Sequence, residues 1–95
     1  MNLVVSIVRK EDADLVTGGL LAAGYRATRL NTAGAFLRRG NVTLIVGVEE
    51  DKLDGVLQII QSNCQYREEP GLVAEGMPIY TATTFVLDVA RVVRV

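Results

Sequence analysis

Residues Leu3 to Val8, LVVSIV, form a nearly continuous β-branched run, the pattern of a strand set centrally in a sheet or covered on both faces. Arg9, Lys10, Glu11 and Asp12 break the run. Beyond them Ala13, Val16, Leu20 and Ala23 recur at helical spacing, which predicts a helix with Asp12 as its N-cap and Gly24 at the left-handed position past its end. Gly18 and Gly19 inside this helix each cost about 1 kcal/mol relative to Ala, and close packing against the sheet accounts for them better than a weak helix. Tyr25 to Leu30 then alternates at period two, with Tyr25, Ala27 and Arg29 on one side and Arg26, Thr28 and Leu30 on the other, as an edge strand would. Asn31 to Gly40 reads as a loop pivoting on Gly34 and Gly40, and it sets Ala35, Phe36 and Leu37 beside Arg38 and Arg39. Apolar groups on such a loop imply a partner surface or a ligand.

Asn41 to Val48, NVTLIVGV, is the third predicted strand, continuous at Leu44, Ile45 and Val46. Gly47 interrupts it, the mark of a bulge or of close approach by another backbone or a ligand. Glu49, Glu50 and Asp51 place negative charge where a second helix begins, and Leu53, Val56, Leu57, Ile60 and Cys64 give that helix an apolar stripe to lay on the sheet. This makes Cys64 a buried small hydrophobe rather than a nucleophile. Gln65 to Tyr80 holds both prolines and two glycines and reads as an exposed connection, with a candidate short strand at Tyr66 to Glu68. Thr81 to Val89 is the last strand, with Thr84, Val86 and Asp88 opposite Thr83, Phe85, Leu87 and Val89. The tail Ala90 to Val95 alternates less clearly and is a candidate addition to a sheet edge.

The order β-α-β-β-α-β predicts an α+β, ferredoxin-like fold, a four-stranded antiparallel sheet with both helices on one face. The other face is left uncovered, and another subunit commonly covers an open apolar face. Ninety-five residues support one domain, spanning 1–95, with a modest core. Few aromatics mean that Val, Leu, Ile and Ala build it.

A net charge of −1 lacks the electrostatic footprint of a protein that binds long nucleic acid. Eight of the ten basic residues are nevertheless Arg, whose planar fork suits a small anionic ligand; genomic composition explains the bias equally well. With a single cysteine and no histidine, Cys/His zinc sites, histidine acid-base chemistry and an intrachain disulfide are excluded. No nucleophile-base pair or metal cluster can be assembled, so an enzyme is not expected, and no cofactor is implied. Asp12, Asp14 and the acidic run at Glu49 to Asp51 read as helix-start charges. The opening residues have no basic n-region, and their apolar run is too short for a signal peptide or a membrane span, which predicts a cytoplasmic protein without a membrane partner.

The stretch Tyr25 to Glu49 combines a polar strand, a glycine-punctuated loop with clustered arginines and an apolar returning strand. Here the sequence resembles the PII-like cyclic-di-AMP receptor proteins. The likeness runs through LVVSIV, RATRLNTAGAFLRRGN and VGVEED and resumes at REE and ATTFVL. It implies a homotrimer of ferredoxin-like subunits whose sheets line the middle, with cyclic-di-AMP in clefts between neighbours. The family's ligand contacts fall on Arg26, Thr28, Phe36, Leu37, Asn41, Gly47 and Phe85. Gly24 stands where relatives often carry an asparagine. For these residue types, Thr28 and Asn41 supply hydrogen bonds, Arg26 charge, Phe36 and Phe85 stacking surface, and Gly47 room for a base against the backbone. The function so implied is signal transduction, in which the bound messenger orders loops that an unknown downstream protein reads. Two other readings stay open, an interaction trimer without the messenger and a receptor for a different adenine nucleotide.

Overall fold

Alternation along β1 (Asn2–Arg9) decides the architecture. In the computed structural model, which describes residues 1–30, 41–64 and 82–95, Asn2, Val4, Ser6 and Val8 are buried while Leu3, Val5, Ile7 and Arg9 are half-buried. A strand turns successive side chains to opposite faces, so this pattern defines one face under cover and one without. β1 pairs antiparallel with β3 (Asn41–Val48) on one side and β4 (Ala82–Asp88) on the other, and the short β2 (Thr28–Leu30) adds to β3. The resulting order, β2-β3-β1-β4, is the one expected of two crossovers interleaved in a ferredoxin-like sheet.

Helices α1 (Lys10–Ala22) and α2 (Leu53–Asn63) cover the same face. Val16 and Leu20 of α1 and Val56 and Ile60 of α2 meet Val4, Val8, Val42, Leu44, Val46 and Val48 in one aliphatic core. No aromatic side chain is among the fully buried ones of the described residues. Each of these side chains contributes about 1.5–3 kcal/mol on leaving water. Ser6 is fully buried among them, and its hydroxyl lies 2.9 Å from that of Thr84 on β4.

Several local expectations change. Asp12 is not the N-cap, because β1 stays paired through Arg9 and leaves no linker: Arg9 is the capping residue and Lys10 opens the helix. Asp12 becomes the third helical residue, fully buried in the first turn, where a carboxylate still meets the positive end of the helix dipole. Ala23, placed in the apolar stripe by its spacing, is the exposed C-cap. Gly24 does take the left-handed conformation, at φ 91°, and the chain closes on it with hydrogen bonds from Gly24 N–H to Leu21 C=O and from Tyr25 N–H to Leu20 C=O, the paired bonds of a Schellman stop.

Gly19 does mark close packing, but against α2 and not the sheet. A Cβ there would stand 2.8 Å from Asn63 Nδ2 and 3.1 Å from Ile59 Cγ2. Gly18 faces open space. Asn63 is held in place by donating from Nδ2 to the Ile59 carbonyl. Glu50–Lys52 forms a 3-10 turn ahead of α2, and Glu50 accepts a hydrogen bond from the Asn2 side chain. Cys64 is half-buried where burial was expected. Gly47 sits in unbroken register opposite Leu3, so there is no bulge. The tail adds no strand: the Val89 N–H reaches the Met1 carbonyl, and Ala90 to Val95 are exposed. The loop Asn31–Gly40 and the connection Gln65–Tyr80, with its candidate strand at Tyr66 to Glu68, lie outside the described residues. No helix among the described residues is long and apolar enough to cross a membrane.

The two neighbouring glycines of α1 respond in opposite directions to the same substitution. Gly18→Ala stabilises the protein by about 1 kcal/mol, the helix-propensity gain in open space. Gly19→Ala destabilises it, since the new methyl must displace Asn63 or part the helices. Gly24→Ala costs about 1 kcal/mol or more, because the left-handed backbone strains any Cβ. Denaturant unfolding of the three variants measures all of this.

Candidate ligand-binding site on the open sheet face

The segment between Gly24 and the end of β2 is pinned on one side at three alternate residues. Tyr25 reaches α2, where a Cβ built on Gly55 would lie 3.8 Å from its hydroxyl. Ala27 packs against the core. Arg29 donates from Nη1 to Asp14 Oδ1 of α1 at 2.9 Å. With Tyr25, Ala27 and Arg29 committed to the helix layer, Thr28 and Leu30 turn to the open face and Arg26 is exposed. The alternation legible in the sequence is therefore real, but only Thr28–Leu30 pairs as strand, because Tyr25 to Ala27 follow the helices instead of the edge of β3.

Register places the other residues. Thr28 lies opposite Ile45, Ile45 shares its partner Val5 with Phe85, and so Thr28, Ile45, Val5 and Phe85 form one row across the open face. Gly47, Leu3 and Leu87 form the next row toward the Met1 end. Asn41 opposes Arg9 at the other end. Thr28, Asn41, Gly47 and Phe85 all belong to the uncovered face, which is what a shared ligand surface requires.

They do not converge within one subunit. Three strand spacings separate Thr28 from Phe85, about 14 Å, and four residues of β3 put Asn41 about 13 Å from the Thr28 row. Thr28 and Gly47 are near neighbours, with Arg26 beside them in sequence. Phe85 stands on the far edge strand. Phe36 and Leu37 lie outside the described residues. A Cβ on Gly47 would make only ordinary contact with Met1 Cε, at 3.7 Å, so no neighbour among the described residues requires a glycine there.

The open face carries more apolar surface than the polar list suggests. Leu3, Val5, Ile7, Leu30 and Ile45 are half-buried, and Phe85 and Leu87 on β4 are 53% and 49% exposed. Reading LVVSIV as one uninterrupted run hid this, since its odd positions belong to the open face and its even ones to the core. Val86, on the helix side of the same edge strand, is also 44% exposed, as the helix layer does not extend over it. Among the described residues no cluster of His, Cys, Asp or Glu could hold a metal ion.

Comparison with known proteins bears on the family and the fold. A family model described as cyclic-di-AMP receptor matches residues 1–95. A crystal structure of a functionally unknown protein from Pediococcus pentosaceus is 36% identical, with a TM-score of 0.76 over 99% of this chain and 96% of that one. Arabidopsis thaliana PII, solved bound to citrate, is 26% identical with a TM-score of 0.74, over 99% of this chain and 79% of its own. With the PII-like fold and a family match along its whole length, the chain belongs to the cyclic-di-AMP receptor family.

Proposed function

We propose that this protein binds cyclic-di-AMP in clefts between the subunits of a homotrimer and relays its presence by loop ordering. The match of the entire chain to the receptor family carries the reading. Two features of the subunit support it. Its open face is apolar and no described helix lies over it, so a stable oligomer gains from covering it. Its candidate ligand residues are split between opposite sheet edges, so a ligand touching both Thr28 and Phe85 is best enclosed when Phe85 comes from a neighbouring subunit.

A cyclic dinucleotide presents two phosphodiester charges and two adenines. In the proposed cleft Arg26 faces a phosphate, Thr28 and Asn41 hydrogen-bond phosphate or base edges, and Gly47 leaves room for a base against β3. Phe36 and Phe85 stack on or cover the bases, and Leu37 closes the apolar side. Ligand then favours one arrangement of residues 31–40 and of the chain beyond Glu68, and a downstream protein binds that arrangement. Differential affinity for the two loop states is the whole of the signal, with no chemical step.

Light scattering should give a mass of three copies, and Val5→Glu, which sets a charge in the middle of the open face, should give a monomer. Titration calorimetry should find cyclic-di-AMP bound by the wild type in preference to cyclic-di-GMP, ATP and AMP. Arg26→Ala weakens that binding with little change in the melting temperature of the ligand-free protein, since Arg26 is exposed. Phe36→Ala weakens it about tenfold or more, given base-aromatic stacking of about 1–3 kcal/mol. A wild-type trimer that binds none of the four nucleotides overturns the receptor reading and leaves an interaction trimer.

A further inference from the structure

β2 is a poorly held element for a strand that carries ligand contacts. It has three residues, and among the described residues it pairs on one side only. A strand this short gains little from its ladder, and slippage by one residue would turn Thr28 inward and Arg29 outward. What resists that slippage is the alternate pinning to the helix layer, and the pins differ in kind. Tyr25 and Ala27 act before the strand begins. Within the strand the hold on the helix layer is the hydrogen-bonded ion pair from Arg29 to Asp14, one helical turn into α1. It is also the last described anchor before residue 31, where the segment bearing Phe36 and Leu37 departs.

We infer that Asp14 is a positioning residue for the ligand site: by holding Arg29 over α1 it keeps Thr28 on the open face. This rests on the receptor reading above. Asp14 does not face the ligand surface. Its side chain is 90% exposed on the helix side of the sheet, and that of Arg29 is 36% exposed. The pair directs the Arg29 guanidinium toward α1, and Arg26 is the cation of this segment that alternation sets on the open side.

The charge of Asp14 gives the test a decisive sign. Cyclic-di-AMP is a dianion, so removing a carboxylate from the protein surface should by long-range attraction strengthen binding slightly. A positioning role predicts the reverse. Exposed ion pairs contribute up to about 1 kcal/mol, so Asp14→Asn should weaken cyclic-di-AMP binding about two- to fivefold, mainly through faster dissociation. Glu11→Gln, an exposed charge change in the same helix, serves as the control for long-range attraction. The exchange Asp14→Arg with Arg29→Asp re-forms the pair with reversed polarity and should restore most of the loss.

Amide hydrogen exchange on the ligand-free proteins supplies a second readout. Asp14→Asn should speed exchange at Thr28 to Leu30 and leave Val4 and Val46 in the core strands unchanged. Weaker binding, faster local exchange and rescue by the reversed pair establish the role. Binding that strengthens or matches the Glu11→Gln control, or exchange in β2 that does not change, overturns it while the receptor reading stands. A wild type that binds no cyclic-di-AMP overturns both, and exchange then reports a brace of the fold alone.

Discussion

A four-stranded sheet has two faces, and the described helices cover one. That inequality governs the rest of the subunit. Val4, Val8, Val42, Leu44, Val46 and Val48 can be buried only because Val16, Leu20, Val56 and Ile60 lie over them. The strict period of two then delivers Leu3, Val5, Ile7 and Ile45 to the face that no described helix covers. The core and the exposed apolar face are products of the same strands, and neither can be altered in length or register without the other. A protein with so aliphatic and so small a core has little stability to spare, which makes the second face a resource for assembly and not simply a liability.

The helix layer reaches this economy by close approach. Gly19 lets α1 settle against Ile59 and Asn63, and the Schellman stop at Gly24 releases the chain at a defined angle toward Tyr25. From there three alternate side chains, Tyr25, Ala27 and Arg29, are committed to the helices. The polar residues between them, Arg26 and Thr28, are thereby presented outward. Functional orientation is in this sense inherited from packing on the opposite side of the strand.

Most of the fold was legible from periodicity. β3 was delimited to the residue, and Leu53, Val56, Leu57 and Ile60 of the expected α2 stripe meet the core, while Cys64 lies just past the helix end and Ile59, outside the expected stripe, packs there too. Failures came where tertiary context overrides local signal. Asp12 has the chemistry of an N-cap, but the uninterrupted pairing of Arg9 with Asn41 starts the helix earlier. Gly47 has the look of a bulge, yet the ladder passes through it, and no neighbour among the described residues requires its glycine. The candidate site was legible as residue types and not as a place: no single-chain pattern brings Thr28 to Phe85, and the structure sets them a sheet's width apart. Asp14 read as a helix-start charge because its partner Arg29 is fifteen residues away in sequence.

The hydroxyl pair of Ser6 and Thr84 has a bearing on how the last strand finds its place. β4 pairs with β1, from which most of the chain separates it, and its middle, Phe85 to Leu87, is apolar on both faces and would tolerate several alignments. Ser6 would not. Shifted by two residues, it would face Ala82 or Val86 and bury an unmatched hydroxyl, a cost of about 1–3 kcal/mol. Shifted by one, β4 would turn Thr83 and Phe85 toward the helices. This polar contact between β1 and β4 thus acts as an alignment key, worth little as adhesion but decisive in discriminating among neighbouring registers of a strand that hydrophobicity alone leaves free to slide.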